Sequence, residues 1–407
     1  MSEQAFVYLD LGSTGPELVG IAYFTQRRGG PVSTTFRYEQ SWLSREGAFS
    51  LDPELRLGSA QISTPGRLPG AFSDAAPDRW GRGLIAKRAA KSGTKPTAVD
   101  YLLGVSDHSR QGALRFKRTQ DGDFEFPAAD VPKVIELPEL LRAADDITRD
   151  PDNQLALKRL LDAGTGSLGG ARPKASVRDD EQLKIAKFPN ILSDEWDVMA
   201  WERTALDLAR MCGVTSPTTR LLQIDGRHVL LLDRFDRTAV GGRLPYVSAM
   251  TLVGGEDGQH NDYIDLVEAI EENGSRVVKD LVELWQRVAV SVVIHNTDDH
   301  FRNHGFLRTT PAGWSLAPVF DINPNPDLQA ERGTGIAGAT HIDEEFDGLM
   351  ELAVACRMTP AVAKKKLIGL TTIILESWEA TARANSLGDS ELARFAPIFD
   401  RARMFAE

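Results

Sequence analysis

HNTDDHFRNHG, residues 295–305, is the stretch whose reading decides the fold. Before it, Leu281, Leu284, Trp285, Val288 and Val292 recur at helical spacing, and VSVVI at 290–294 is apolar on every side. A buried helix is therefore predicted over 278–295, with its end aimed at two carboxylates, Asp298 and Asp299, and an amide, Asn303. Two plain readings fit the same letters. Asp and Asn are common in polar turns after helices, and His295, His300 and His304 are spaced to share a zinc ion, though no Glu completes a His-Glu-x-x-His hydrolase motif.

The chemistry of phosphoryl transfer asks for more, and the segment supplies it. One Asp must orient the attacking hydroxyl and accept its proton, while an Asn holds Mg²⁺ against the phosphates of ATP. Asp298 and Asn303 have the spacing Asp-x-x-x-x-Asn that such catalytic loops use. Downstream, LAPVFDI (316–322) reads as a short apolar strand ending in Asp321, the place for a second metal-binding carboxylate. Mg²⁺ prefers oxygen ligands and takes one or two carboxylates plus substrate phosphates, so Asn303 with Asp321 suffices. A cap leading into the NPNP turn (323–326) is the simpler role for Asp321.

Upstream, QLKIAKFP (182–189) alternates as a strand, and Lys184 and Lys187, three apart, face opposite sides. In a kinase an inward Lys neutralises the α- and β-phosphates and is held by a Glu of the following helix. Glu202, in a helix expected over 196–211, is the candidate. HVLLLDRFDR (228–237) is an apolar strand ending in a charged turn, where backbone groups near Asp233 and Phe235 can hold adenine; the end of a surface hairpin would look alike. TGSLGGARPKAS (165–176) precedes the Lys strand, and Gly169 and Gly170 allow backbone N–H groups to approach phosphates. The segment is not a Walker A motif, and a flexible linker would share its composition.

The rest of the chain frames these motifs. Its 407 residues imply two or three domains, and 42% hydrophobic with 26% charged residues mark a globular protein. A net charge of −11 opposes free-standing binding to a phosphate backbone, so contact with DNA is expected only through a basic partner. Two cysteines, Cys212 and Cys356, make no disulfide framework. No export signal or spanning segment is read, which leaves a cytoplasmic protein as the expectation. Residues 5–120 read as short strands with Gly-rich turns (AFVYLDLG, LVGIAYF, FRYEQSWL), and FSDAAPDRWGRGLIAK (72–87) as a loop turning into a helix. Residues 119–133 read as a connection, 136–163 as helical, and the chain beyond 343 as helical throughout.

Taken in order, SLGGARPK (167–174), KIAKFP (184–189), LLLDRFDR (230–237), TDDHFRN (297–303) and PVFDI (318–322) resemble the HipA family of bacterial kinase toxins over nearly the whole chain. The resemblance implies Asp298 as catalytic base, Asn303 and Asp321 as Mg²⁺ ligands, Lys187 as the ATP-phosphate lysine, and Asp233 and Phe235 beside the adenine. It also implies Ser167 as an autophosphorylation site that silences the kinase. Asp299 stands where many members have Gly, and Arg302 where Lys is common. The implied partners are a protein substrate such as an aminoacyl-tRNA synthetase and a small helix-turn-helix antitoxin that binds operator DNA. The expected fold is α+β and protein-kinase-like: a small β-rich N-terminal domain (1–125), an N-lobe with the Gly-rich loop and Lys strand (126–236), and a mostly helical C-lobe (237–407). A catalytically silent co-repressor that supports the antitoxin and a small-molecule phosphotransferase are the rival functions.

Overall fold

The structure is a computed structural model that describes all residues except 1, 13–14, 27–29, 78, 91–92, 126–130, 164–171, 257 and 407. Its contacts divide the chain into two compact units, Met1–Ser193 with Gln223–Val247 and Asp194–Leu222 with Ser248–Glu407.

The first unit opens with strands β1 (Ser2–Asp10), β2 (Pro16–Gln26), β3 (Val32–Tyr38), β4 (Ile62–Thr64) and β5 (Leu114–Lys117). They form an antiparallel sheet in the order β4-β3-β2-β1-β5. Alternation places Phe36 and Phe116 under one face, where both meet Phe72 edge to face at 5.7 and 5.5 Å. Gly20 is required by this packing, since a Cβ there would lie 2.4 Å from the Arg37 carbonyl and 2.5 Å from the Phe36 ring. The third strand ends before FRYEQSWL suggests: Gln40–Leu43 turns into helix and buries Trp42. The 72–87 stretch is helical sooner as well, because helix Gly70–Asp74 starts where the buried Asp52 carboxylate accepts the Ala71 N–H at 2.8 Å. A second helix follows at Arg79–Ala90.

The helical stretch foreseen over 136–163 is two helices, Leu137–Arg149 and Gln154–Asp162. Pro151 has no N–H to continue the first, and the Asn153 side chain caps the second by accepting from Ala156 N–H at 3.1 Å. Leu84, Ile147, Leu157 and Leu160 close the core between these helices and Arg79–Ala90. Beyond them β6 (Lys174–Asp179), β7 (Gln182–Lys187), β8 (Thr219–Ile224) and β9 (Arg227–Asp233) follow. Strands β6, β7 and β9 pair antiparallel, with Lys174 opposite Lys187 and Lys184 opposite Asp233. Asp225 and Gly226, both at positive φ, make the tight turn before β9. Arg227 then clamps Asp145 with two hydrogen bonds of 2.9 and 2.6 Å, fixing β9 to helix Leu137–Arg149.

The second unit is mostly helical: Val198–Met211, Tyr263–Asn273, Val277–Val293, Glu345–Ala355, Pro360–Ala384 and Asp389–Ala402. Aromatic stacks bind its terminal helices, Trp201 on Phe395 at 3.9 Å and Trp378 on Phe399 at 4.2 Å. Helix Val277–Val293 is the axis, with Leu281, Leu284, Trp285, Val288 and Val292 all fully buried. Among the described residues no helix is long and apolar enough to cross a membrane.

Candidate active site

The end of helix Val277–Val293 decides where the polar motif points. His295 takes φ +54°, a left-handed conformation that favours glycine, and so closes the helix: its N–H bonds Val292 O at 3.1 Å while Asn296 N–H bonds Ser291 O at 2.8 Å. Burial holds the His295 imidazole below its ordinary pKa, and its Nε2 meets the Asp327 carbonyl at 3.0 Å. Carbonyls at and just beyond the end of this helix are capped by two arginines, Arg332 buried and Arg401 half-buried. Arg332 donates to Ser291 O at 3.3 Å and Asn296 O at 3.0 Å, and Arg401 donates to Val292 O at 3.3 Å. Both guanidiniums share the carboxylate of the buried Glu345, which offsets one of their two positive charges.

From this fixed end the two neighbouring aspartates part. Asp299 is turned inward: Oδ2 accepts from the Tyr263 hydroxyl at 2.7 Å and the Ser291 hydroxyl at 3.2 Å, and Oδ1 pairs with His304 Nε2 at 2.9 Å. Burial opposes its charge, yet His304, the Tyr263 hydroxyl and Arg332 together bring it down to about 2. The same burial and the Asp299 charge push the Tyr263 phenol well above its ordinary range, so it stays a donor. Asp298, one residue earlier, is exposed. The turn Phe301–Asn303 then folds back on buried Phe301, and Asn303 Nδ2 donates to Asp298 O at 3.2 Å, which directs the Asn303 Oδ1 away from that contact.

Asp321 is brought to the same loop by backbone lacing. Asn323 N–H donates to Asn296 Oδ1 at 3.3 Å, Asn325 N–H to His295 O at 3.0 Å, and Asn325 Nδ2 to Thr297 Oγ1 at 2.9 Å. The NPNP turn is thus the strap between the catalytic-loop candidate and Asp321. Asp321 itself lies half-buried at φ +58°, one of seven non-glycine residues with positive φ among those described. The strand expected over 316–322 ends at Leu316. Pro318 cannot donate to a ladder, and the neighbouring groups are held singly, Ala317 O by Arg287 at 2.6 Å and Val319 N–H by Thr215 O at 2.8 Å.

In the first unit, Lys187 is buried and Lys184 is not: Lys184 Nζ reaches Asp233 Oδ1 at 2.6 Å near the surface. The Asp233 carboxylate is therefore engaged by Lys184. Phe235 is half-buried with its ring tilted against Tyr246, centroids 6.2 Å apart. In the second unit Glu202 is buried on helix Val198–Met211. Ser167, Gly169 and Gly170 lie outside the described residues. Among the described residues His295, His300 and His304 form no metal-binding group. What the sequence reading missed is the support: Tyr263 and Ser291 under Asp299, and the Arg332–Glu345–Arg401 cap. His304 carried the one signal, a titratable side chain directly after Asn303.

A family model described as the HipA-like C-terminal domain matches residues 166–382, more than half of the chain, and one described as the HipA N-terminal domain matches residues 18–117. No curated protein matches the chain. Among solved structures it is similar to HipA in a complex of the Shewanella oneidensis MR-1 toxin–antitoxin system with HipB and operator DNA, at a TM-score of 0.72 and 15% identity, covering 98% of this chain and 96% of that one. It also matches the Helicobacter pylori proinflammatory kinase CtkA, at a TM-score of 0.38 and 16% identity over 59% of this chain and 94% of that one. With both family models in order along it, this chain belongs to the HipA family and has that family's α+β, two-lobed, protein-kinase-like fold.

Proposed function

We propose that the chain is an ATP- and Mg²⁺-dependent serine/threonine protein kinase and the toxin of a toxin–antitoxin pair. The observation that carries this reading is the parting of the two aspartates: Asp299 is buried among the Tyr263 and Ser291 hydroxyls and His304, whereas Asp298 is exposed, with its carbonyl bonded to Asn303. Asp298 accepts the proton of a substrate hydroxyl, and Asn303 Oδ1 and Asp321 are the oxygen ligands for a hard cation. Bound Mg²⁺ supplies charge neutralisation on the phosphates. Lys187 binds the α- and β-phosphates and Glu202 holds it; Gly169 and Gly170 offer backbone N–H groups, and the backbone at Asp233 and Phe235 borders the adenine. In this reading residues 1–125 form the N-terminal domain, 126–236 the N-lobe and 237–407 the C-lobe.

The partners follow from the family. The Shewanella protein was solved with HipB and operator DNA, and a net charge of −11 suits a basic antitoxin that brings DNA with it. The target is a protein hydroxyl, with an aminoacyl-tRNA synthetase as the class to examine first. Incubation of the purified chain with ATP and lysate, read by mass spectrometry, is expected to yield a phosphoprotein. A phosphorylated small molecule alone would move the chain to the phosphotransferases, and no transfer at all would leave a silent co-repressor. Activity should require Mg²⁺ or Mn²⁺ and survive a zinc-selective chelator, because the proposed ligands are oxygens.

Ser167 is expected to be phosphorylated by the chain itself. A phosphate there adds about −1.5 to −2 charges in the Gly-rich segment, next to the triphosphate, and should weaken ATP binding. Phosphopeptide mapping with an Asp298→Ala control, followed by ATP titration of each form, checks it. Equal affinity of the two forms would end the switch and leave the kinase reading standing.

A further inference from the structure

The turn after β9 is held by the N-terminal domain through a buried ionic clasp. Burial alternates along it, with Asp233, Phe235 and Arg237 half-buried and Arg234 and Asp236 buried. Asp236 is the hub. Its Oδ2 accepts the Gly112 backbone N–H at 2.8 Å, and its two oxygens take Arg234 Nε at 2.8 Å and Nη2 at 2.6 Å, with Arg237 Nη1 at 2.8 Å. The arginines reach onward into the loop before β5. Arg234 donates to Ser109 O at 2.7 Å and Arg110 O at 3.2 Å, and Arg237 donates to Arg110 O at 2.8 Å. Arg243 closes the far side on Asp107 O at 2.6 Å. Burial works against the Asp236 charge, but the two guanidiniums hold the carboxyl well below the usual carboxylate range.

Gly112 fits the same clasp from the other side. It has φ +74°, and a Cβ there would meet Tyr246 Cβ at 3.2 Å and Tyr246 N at 3.3 Å. Tyr246 is the residue on which Phe235 leans. With the side chains at 234 and 236 tied into one domain on either side of it, Phe235 has little freedom to shift within this turn, and Asp233 is held just before it at the end of β9. Buried ion pairs of this kind contribute little net stability relative to apolar packing, and here the pairs fix Arg234, Asp236 and Arg237 against the Gly112 loop.

We infer that Asp236, with Gly112, is a positioning residue for nucleotide binding: the N-terminal domain is the mount that sets the backbone of Asp233–Phe235 for the adenine. This rests on the kinase reading above and adds to it a residue that contacts no nucleotide. Asp236→Asn keeps the shape, removes the charge and turns one acceptor into a donor facing Gly112 N–H or a guanidinium. The expected result is an ATP KM raised about tenfold with kcat within about twofold, and weaker preference for ATP over GTP. A merely structural role would lower the active fraction, seen as a fall in apparent kcat at unchanged KM. Gly112→Ala, which strains the clasp without touching any charge, should move KM in the same direction and decides the matter where Asp236→Asn does not fold. ATP KM and base preference unchanged in the folded variants overturn this inference alone. Absence of ATP binding in the wild-type chain overturns the kinase reading and this inference with it.

Discussion

Asp298→Ala and Asp321→Asn are each expected to reduce phosphate transfer by about a thousandfold or more, since a positioned base and a metal ligand each contribute factors of hundreds. The fold should survive both changes. Asp298 is exposed and Asp321 half-buried, and the loop is also held by the Asp298 carbonyl, the Asp299 carboxylate and the Asn296 and Thr297 side chains. Asp321 calls for asparagine instead of alanine because its φ of +58° is a conformation that Asn adopts at less cost than Ala. Transfer rates measured beside urea unfolding midpoints separate the two quantities. Wild-type transfer by either variant would remove the roles proposed here for these carboxylates.

Asp299→Ala should do the opposite, destabilising the protein first and reducing activity as a consequence. It strips the acceptor from the Tyr263 and Ser291 hydroxyls and from His304 Nε2, all in the interior. Breaking a buried charged pair in this way costs about 3–5 kcal/mol, a large part of the stability of a typical domain. The pH dependence gives an independent check. The Asp299 carboxyl sits at about 2 in the folded chain, below its ordinary value of 3.8, so its stabilising contribution is complete above about pH 4 and is lost as pH falls toward 2. The gap in unfolding free energy between wild type and variant should be widest at neutral pH and close on acidification. A gap independent of pH would mean that the charge of Asp299 is not what the network uses.

Local signals carried much of the fold. The apolar spacing of Leu281 to Val292 announced a buried helix, because such spacing depends on residues close together in sequence. The short helices at Gly70–Asp74 and Gln40–Leu43 were missed, since the first leans on the distant Asp52 carboxylate and the second on burial of Trp42. Which way each polar side chain faces is a different kind of question. Lys184 and Lys187 were separable only as opposite faces of one strand until Asp233, on the neighbouring strand, engaged Lys184.

By itself, then, the sequence determined the family and the longer helices and strands, and it named the residues proposed here for phosphate chemistry, because motif order and periodicity are properties of the chain read along its length. Tertiary structure alone decided which of two adjacent aspartates is exposed. Tyr263 and Ser291 lie 36 and 8 residues from Asp299, and a carboxylate turns to where buried donors can hold its charge. Tertiary structure likewise decided that Asp236 grips Gly112, 124 residues away, since a buried ion must find its partners in space and no local rule in the chain records them.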